Sequence, residues 1–269
     1  MPPAENPISF SKSPSPDQVR AYYDAFSSDR MLSYRLVGNA RIEKAIQFFI
    51  GSLGKNEAIL DVGCGIGIAT EAMAKKTHGP VLGIDISEQN IWYAKKTVGR
   101  SNLNFVAQDA LSEEFDPVAL LGRKPSTITM CDVIEHIPET SRQELFQKFS
   151  VIGGAGLKVH LTFPTATHLE YLEEEKPSEI QIIDNKLRPE VLAIEAAKAG
   201  LAITYFKMVD IWRRADYAHC SFERLESLKS HIRTPLRRSF LNRVRSRFAA
   251  TITGRIRKRR YIDKVFEPK

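Results

Sequence analysis

One stretch constrains this chain more than any other: Ile59-Leu60-Asp61-Val62, then Gly63-Cys64-Gly65-Ile66-Gly67, then Ile68–Lys76. The first part, residues 58–62, is a short apolar run of the length and composition of a buried strand. The glycines allow a tight turn and a close approach of backbone to a ligand. The residues after them read as a helix. Strand, glycine turn and helix make the opening half of a βαβ unit, and the pattern recurs downstream. Further strands are predicted at 80–84, 103–107, 126–131 and 157–163. Helices are predicted from the Ser87 cap to about residue 98, at 140–151 and at 189–199. Short strands alternating with helices imply a parallel sheet. The last two predicted strands, 202–208 and 217–222, are joined by too few residues for a crossover helix, so they form an antiparallel hairpin. The expected fold is α/β: a doubly wound seven-stranded sheet, mostly parallel, closed by that hairpin.

In such a sheet, ligands bind beyond the carboxyl ends of the strands. A dinucleotide fingerprint, G-x-G-x-x-G, would need a third glycine at position 68 or 70, where the chain has Ile68 and Thr70. Asp61 adds a carboxylate at the strand end, which disfavours a pyrophosphate and suits an ammonium group or a neutral ligand. Asp85 follows the second strand, twenty-two residues after Gly63, where a carboxylate can accept both hydroxyls of a ribose. Gln108-Asp109-Ala110 follows the third strand, where a carboxylate can read an adenine amino group.

Four segments taken together, ILDVGCGIG, GIDIS, AQDAL and DVIEHIPE, resemble the successive motifs of class I S-adenosylmethionine-dependent methyltransferases in order and spacing. They cover roughly residues 58–139. The resemblance implies a Rossmann-like fold, S-adenosylmethionine as cofactor and a methyl acceptor. It also implies that Gly63, Gly65 and Gly67 wrap the methionine part, that Asp85 holds the ribose and that Asp109 and Ala110 bind adenine. Cys131 is expected beside the cofactor. Arg41, in Gly38-Asn39-Ala40-Arg41-Ile42, resembles the arginine that pairs with the cofactor carboxylate in the ubiquinone-pathway members; the alternative is an ordinary surface arginine.

The acceptor side is less determined. Methyl transfer from a sulfonium depends on alignment, with a general base needed when the acceptor is a hydroxyl or a protonated amine. His136, in Asp132-Val133-Ile134-Glu135-His136, is the candidate base, since imidazole titrates near neutrality. The competing reading is that the Glu-His pair only caps or orients the next helix. The same segment resembles the acid-x-x-Glu-His cluster with which ubiquinone-pathway O-methyltransferases bind a divalent cation. Asp132, Glu135 and His136 would then hold Mg²⁺, with Asp132 one methylene shorter than the usual Glu. His168 is a second base candidate, and His160, inside a strand, is expected to be structural.

Around this domain, residues 54–226, three further parts are expected. Residues 1–16 are Pro- and Ser-rich without an apolar signal core and read as a disordered leader. Residues 17–53 form a helical lid, with helical spacing at Val19, Tyr22, Tyr23 and Phe26 and again over 40–50. Residues 165–187 are too long for a plain connection and form an acidic acceptor-side cap. Residues 227–269 form a basic extension. After Glu226 there are fourteen Lys and Arg against two acids, net +12, which leaves 25 bases and 30 acids, net −5, in the body. Leu236, Phe240, Val244, Phe248, Ile252 and Ile256 recur every fourth residue there, so basic residues flank an apolar stripe over 227–262. Such a segment suits an anionic membrane surface; a solvated or protein-bound tail and a nucleic-acid contact are the alternatives. With three cysteines, an odd number, and no CxxC pair, a disulfide framework and a zinc site are not expected. The expectation is a cytoplasmic enzyme, peripheral to the inner membrane face if the tail docks there, acting on a small-molecule acceptor. The alternatives are an RNA or protein methyltransferase that docks through the basic tail and, outside enzymes, a cofactor-binding module without turnover.

Overall fold

A computed structural model describes residues 14–26, 30–226 and 228–229 of the chain. Most of the expected leader and basic extension lies outside the described residues. The sheet has seven strands: β1 (Ile59–Val62), β2 (Val81–Asp85), β3 (Leu103–Ala107), β4 (Thr127–Cys131), β5 (Lys158–Pro164), β6 (Leu201–Val209) and β7 (Tyr217–Arg224). Their spatial order is β3-β2-β1-β4-β5-β7-β6. The first five are parallel, and β7 runs antiparallel to both β5 and β6. This is the architecture expected from the sequence, and strand limits agree to within two residues.

Every residue of β1 and β2 is buried, as fits inner parallel strands covered on both faces. Alternate side chains go to opposite layers. Leu60 and Val62 join Leu82, Met130, Phe146, Phe149 and Phe222 in the larger core. Ile59 joins Ala45, Phe49, Met73 and Val81 in the smaller one. Helix α7 (Glu139–Ile152) packs on α9 (Pro189–Lys198), and helix α3 (Ala40–Ser52) on α4 (Ile68–Lys76). Helices α5 (Glu88–Thr97) and α6 (Pro117–Leu121) complete the crossovers, α6 being an element the sequence reading does not contain. Among the described residues, no helix is long and apolar enough to cross a membrane.

The N-terminal region holds three helices where two are expected: α1 (Pro16–Phe26), α2 (Arg30–Val37) and α3. Gly38, at φ +89°, separates α2 from α3, and the Asn39 side chain caps α3 by accepting from the Arg41 and Ile42 amides. Ala45 and Phe49 of α3 are fully buried, so α3 belongs to the body and not to the expected lid. The expected cap after β5 contains helix α8 (Ala166–Glu175) and a short 3₁₀ turn, Pro177–Glu179.

Strand order reverses between β1 and β4. Their carboxyl ends, with that of β2, open into one crevice, the position where ligands sit in doubly wound sheets.

Candidate functional site

The crevice is a cavity walled by the turn after β1, the ends of β2 to β4, helix α1 and the cap. Its lining includes Gly63, Gly65, Asp85, Asp109, Ala110, Cys131, Asp132, Arg41 and His136, all singled out in the sequence. Gly63 has φ +67°, and a Cβ there would lie 2.3 Å from Val133 Cγ2. The turn at this point therefore has room for backbone only, which brings amides to the cavity edge. Gly65 donates its N–H to Asp85 Oδ2 at 2.8 Å, tying the turn to β2. The other Asp85 oxygen accepts from Ser87 N (2.9 Å) and Asn90 Nδ2 (3.2 Å). Asp85 is 8% exposed, and burial raises its carboxyl despite these bonds. Asn90, on the cavity wall, has a buried Oδ1 with no hydrogen-bond partner. Side-chain-free backbone, a buried carboxylate and an unpartnered amide oxygen are the donors and acceptors that fit a nucleoside bearing a cationic centre.

Two expected residues do not reach the cavity. Asp61 is 1% exposed and accepts from Thr70 Oγ1 (2.6 Å) and Thr129 Oγ1 (2.7 Å), so its carboxylate ties β1 to α4 and β4 beneath the turn. Burial pushes it up to about 6 against those two bonds. Gly67, at φ +79°, starts α4, and its missing side chain makes room for the Phe105 ring. Both shape the turn from behind it.

Arg41 lines the cavity and is paired within the protein. Its guanidinium lies 2.6 Å from Asp132 Oδ2 as an ion pair. Burial opposes its charge, but Asp132 and Tyr217 outweigh that and hold it firmly protonated. Asp132 has φ 55°, unusual without glycine, and takes a 3.2 Å bond from Thr162 Oγ1. Arg41 lines the cavity but reaches a ligand only alongside this partner.

The expected metal triad is not assembled in this geometry. Among the described residues, no group of three or more His, Cys, Asp or Glu side chains is gathered closely enough to hold a metal ion. Asp132 is committed to Arg41. Glu135 is 2% exposed and set back from the cavity wall. His136 is held instead by the cap: its Nδ1 lies 2.5 Å from the Ile183 carbonyl and 3.1 Å from Asp184 Oδ1. Its Nε2 is 3.8 Å from Glu135 Oε1, outside hydrogen-bond reach. Burial works against charge on the ring, but Glu135, Asp184 and the Ile183 carbonyl prevail and lift it to about 9. Burial also raises the Glu135 carboxyl.

Helix α1 forms part of the cavity wall. Val19 and Tyr23 of α1 line it, and the Tyr23 ring lies 5.9 Å from that of His136. Asp24 accepts from Ser87 Oγ at 2.6 Å, and Arg35 of α2 donates to the Ile66 carbonyl at 2.9 Å. Helices α1 and α2 are therefore anchored on the β2 side and on the glycine turn. His168 is buried among Tyr171, Trp212 and Tyr217 and does not line the cavity, which removes it as a base. His160 sits between Ser52 and Ser221, the structural position expected of it.

Sequence reasoning missed Asn90, Asp24 and the Ile183-Asp184-Asn185 segment. Asn90 carried a usable signal, lying three residues past the Ser87 cap and thus facing back toward Asp85. Asp184 and Asn185 belong to no motif, and only the folded connection brings them to His136.

Comparison with known proteins agrees with this geometry. A methyltransferase domain family model matches residues 59–152. The chain is 34% identical over 106 residues to a ubiquinone biosynthesis O-methyltransferase of Actinobacillus pleuropneumoniae, 39% of this chain and 44% of that protein. It is 34% identical over 89 residues to the enzyme of that name from Coxiella burnetii, 33% of this chain and 36% of that one. The matched segment thus spans less than half of these relatives. In fold, it superposes on magnesium protoporphyrin IX methyltransferase from Synechocystis PCC 6803 with bound SAH. The TM-score is 0.60, with 18% identity, over 78% of this chain and 99% of that one. It also superposes on a cyclopropane synthase from Mycobacterium tuberculosis with TM-score 0.57 and 14% identity, over 79% and 99%. Residues 59–152 therefore match a methyltransferase domain, set in a fold shared with methyltransferases that bind S-adenosylmethionine or its product.

Proposed function

We propose that the protein transfers the methyl group of S-adenosylmethionine to an oxygen of a small-molecule acceptor. The observation that carries this reading is the single cavity wall on which Gly63, Gly65, Asp85, Asp109 and His136 meet. The cofactor supplies an electrophilic methyl on sulfur. Gly63 and Gly65 admit it to the turn, Asp85 and Asn90 bind the ribose, and Asp109 with Ala110 takes the adenine. The lid and cap exclude water around His136. The oxygen preference is supported by His136, a titratable group on the acceptor side, and by similarity to O-methyltransferases over the matched segment.

His136 serves as a base only in its neutral form. Its site lifts it to about 9, so turnover should rise with pH from neutrality toward that value. The basic residues of 227–262 support docking at an anionic bilayer, which would make a lipid-borne acceptor accessible.

The test incubates the full chain with radiolabelled cofactor and a host extract split into lipid, small-molecule, RNA and protein fractions. Label is expected in the small-molecule or lipid fraction as an alkali-stable methyl ether, and His136→Ala should slow its appearance by about 10²–10⁴-fold. Label confined to RNA or protein, or an unchanged rate in His136→Ala, would contradict the proposal.

A further inference from the structure

His136 is gripped by a segment that no motif marks. Three consecutive cap residues, Ile183, Asp184 and Asn185, bind the backbone and ring of residues 135–137. Asn185 donates from its backbone N (2.9 Å) and Nδ2 (2.7 Å) to the Glu135 carbonyl, and from Nδ2 to the Ile137 carbonyl (3.1 Å). The Asp184 side chain is 7% exposed. Its Oδ2 accepts from Gln181 N at 2.8 Å, which fixes the carboxylate so that Oδ1 faces the imidazole at 3.1 Å. A carbonyl and a carboxylate both converge on Nδ1. Among the described residues the other ring nitrogen, Nε2, has no hydrogen bond, and Glu135 Oε1 lies 3.8 Å from it. Gln181 and His136 both line the cavity, so this clamp forms part of its acceptor-side wall.

We infer that Asp184 is a positioning residue that, with the Ile183 carbonyl, holds the proton of neutral His136 on Nδ1 and leaves the Nε2 lone pair for a hydroxyl acceptor. The inference rests on the methyltransferase reading above and goes beyond it in naming the atom that receives the proton. A neutral imidazole in water favours the proton on Nε2, and two acceptors at Nδ1 reverse that preference. A cap that merely ordered the chain needs only the Asn185 bonds to backbone. The Asp184 carboxylate bonds the cap backbone through Oδ2 only, and its other oxygen, Oδ1, faces the ring. In the step it serves, the acceptor oxygen bonds to the methyl carbon and the carbon–sulfur bond breaks with its electron pair going to sulfur. The hydroxyl proton ends on Nε2. The acceptor class that fits is a molecule bearing a hydroxyl.

The test uses the full chain labelled with ¹⁵N-histidine, with the His136 signal assigned by its loss in His136→Gln. At alkaline pH, where the ring is neutral, the parent should show chiefly the Nδ1–H form. Asp184→Asn should shift the ring toward the Nε2–H form with the backbone amide spectrum of 135–137 retained, and Asp184→Glu should restore the parent form. Alongside, S-adenosylhomocysteine is titrated calorimetrically into parent and Asp184→Asn, with equal affinities expected. An Nε2–H ring in the parent, or an unaltered ring in Asp184→Asn, overturns the assignment while leaving cofactor binding intact. Should Asp184→Asn not fold, the parent ring form and Asp184→Glu still decide. No binding of S-adenosylhomocysteine by the parent would instead overturn the underlying reading, and the positioning role with it.

Discussion

Gly63 and Gly67 stand two turns of one loop apart in function, though both have left-handed backbone. A Cβ on Gly63 would collide with Val133 at the cavity wall; one on Gly67 would lie 2.6 Å from the Phe105 ring, away from it. Each alanine substitution meets both backbone strain and overpacking, a cost of about 3 kcal/mol. Gly67→Ala should therefore lower the urea midpoint while the folded fraction still binds S-adenosylhomocysteine. Gly63→Ala should lower the midpoint and weaken binding as well. Gly99→Ala, where a Cβ meets nothing within 4 Å, is the control and should change stability by less than about 1 kcal/mol. Equal midpoints for all three variants would contradict this account of the turn. At this scale the sequence was most informative where a residue's role follows from its place at a strand end. Gly63, Asp85 and Cys131 fall there. Asp61 misled because a strand-end carboxylate reads alike whether it faces ligand or the next layer; only the Thr70 and Thr129 hydroxyls settle that it faces inward.

Between elements, the junction of α3 with β5 and β7 is the part most sensitive to acid. Phe48 of α3 lies between two buried imidazoles, its ring 5.6 Å from His160 and 4.8 Å from His219. Burial, with Lys158 nearby, lowers His160 to about 4, and burial with Lys207 and Lys44 does the same for His219. Both values fall below that of an unfolded histidine, about 6.5. Between pH 6.5 and 4 the unfolded chain thus binds more protons, and stability falls as pH falls, levelling off below 4. For His160 the whole shift amounts to about 3 kcal/mol. Asp61, raised to about 6, opposes this trend in the same window, so a variant comparison isolates the histidine. Urea unfolding of His160→Gln across pH 4.5–7 should show a shallower loss of stability than the parent, by up to about 1.4 kcal/mol per pH unit. Parallel curves would contradict it. Elements bounded by turn residues were legible, as for α4 after Gly67 and for β3, whose predicted limits match the observed ones. Helix α2 was not, because Gly38 and Asn39 punctuate a stretch whose apolar pattern looks continuous. Helix α8 was hidden by the acidic composition of its connection.

Over the whole molecule, the sheet's class, strand number and crevice were readable because alternating strands and helices admit few ways of winding. The acceptor side was not, since it is assembled from α1, the turn at 134–136 and residues 181–185, which lie far apart in sequence. The same division marks the comparisons, where a methyltransferase domain family model matches residues 59–152, the segment with the glycine turn, Asp85 and Asp109. The central claim is that this segment binds a sulfonium nucleoside through the glycine turn and Asp85. Calorimetric titration of the full chain with S-adenosylhomocysteine tests it most directly. One equivalent should bind, Asp85→Ala should weaken binding by about 10²-fold as two ribose hydrogen bonds are lost, and NAD should give no heat. Binding of NAD with none of S-adenosylhomocysteine would contradict the account.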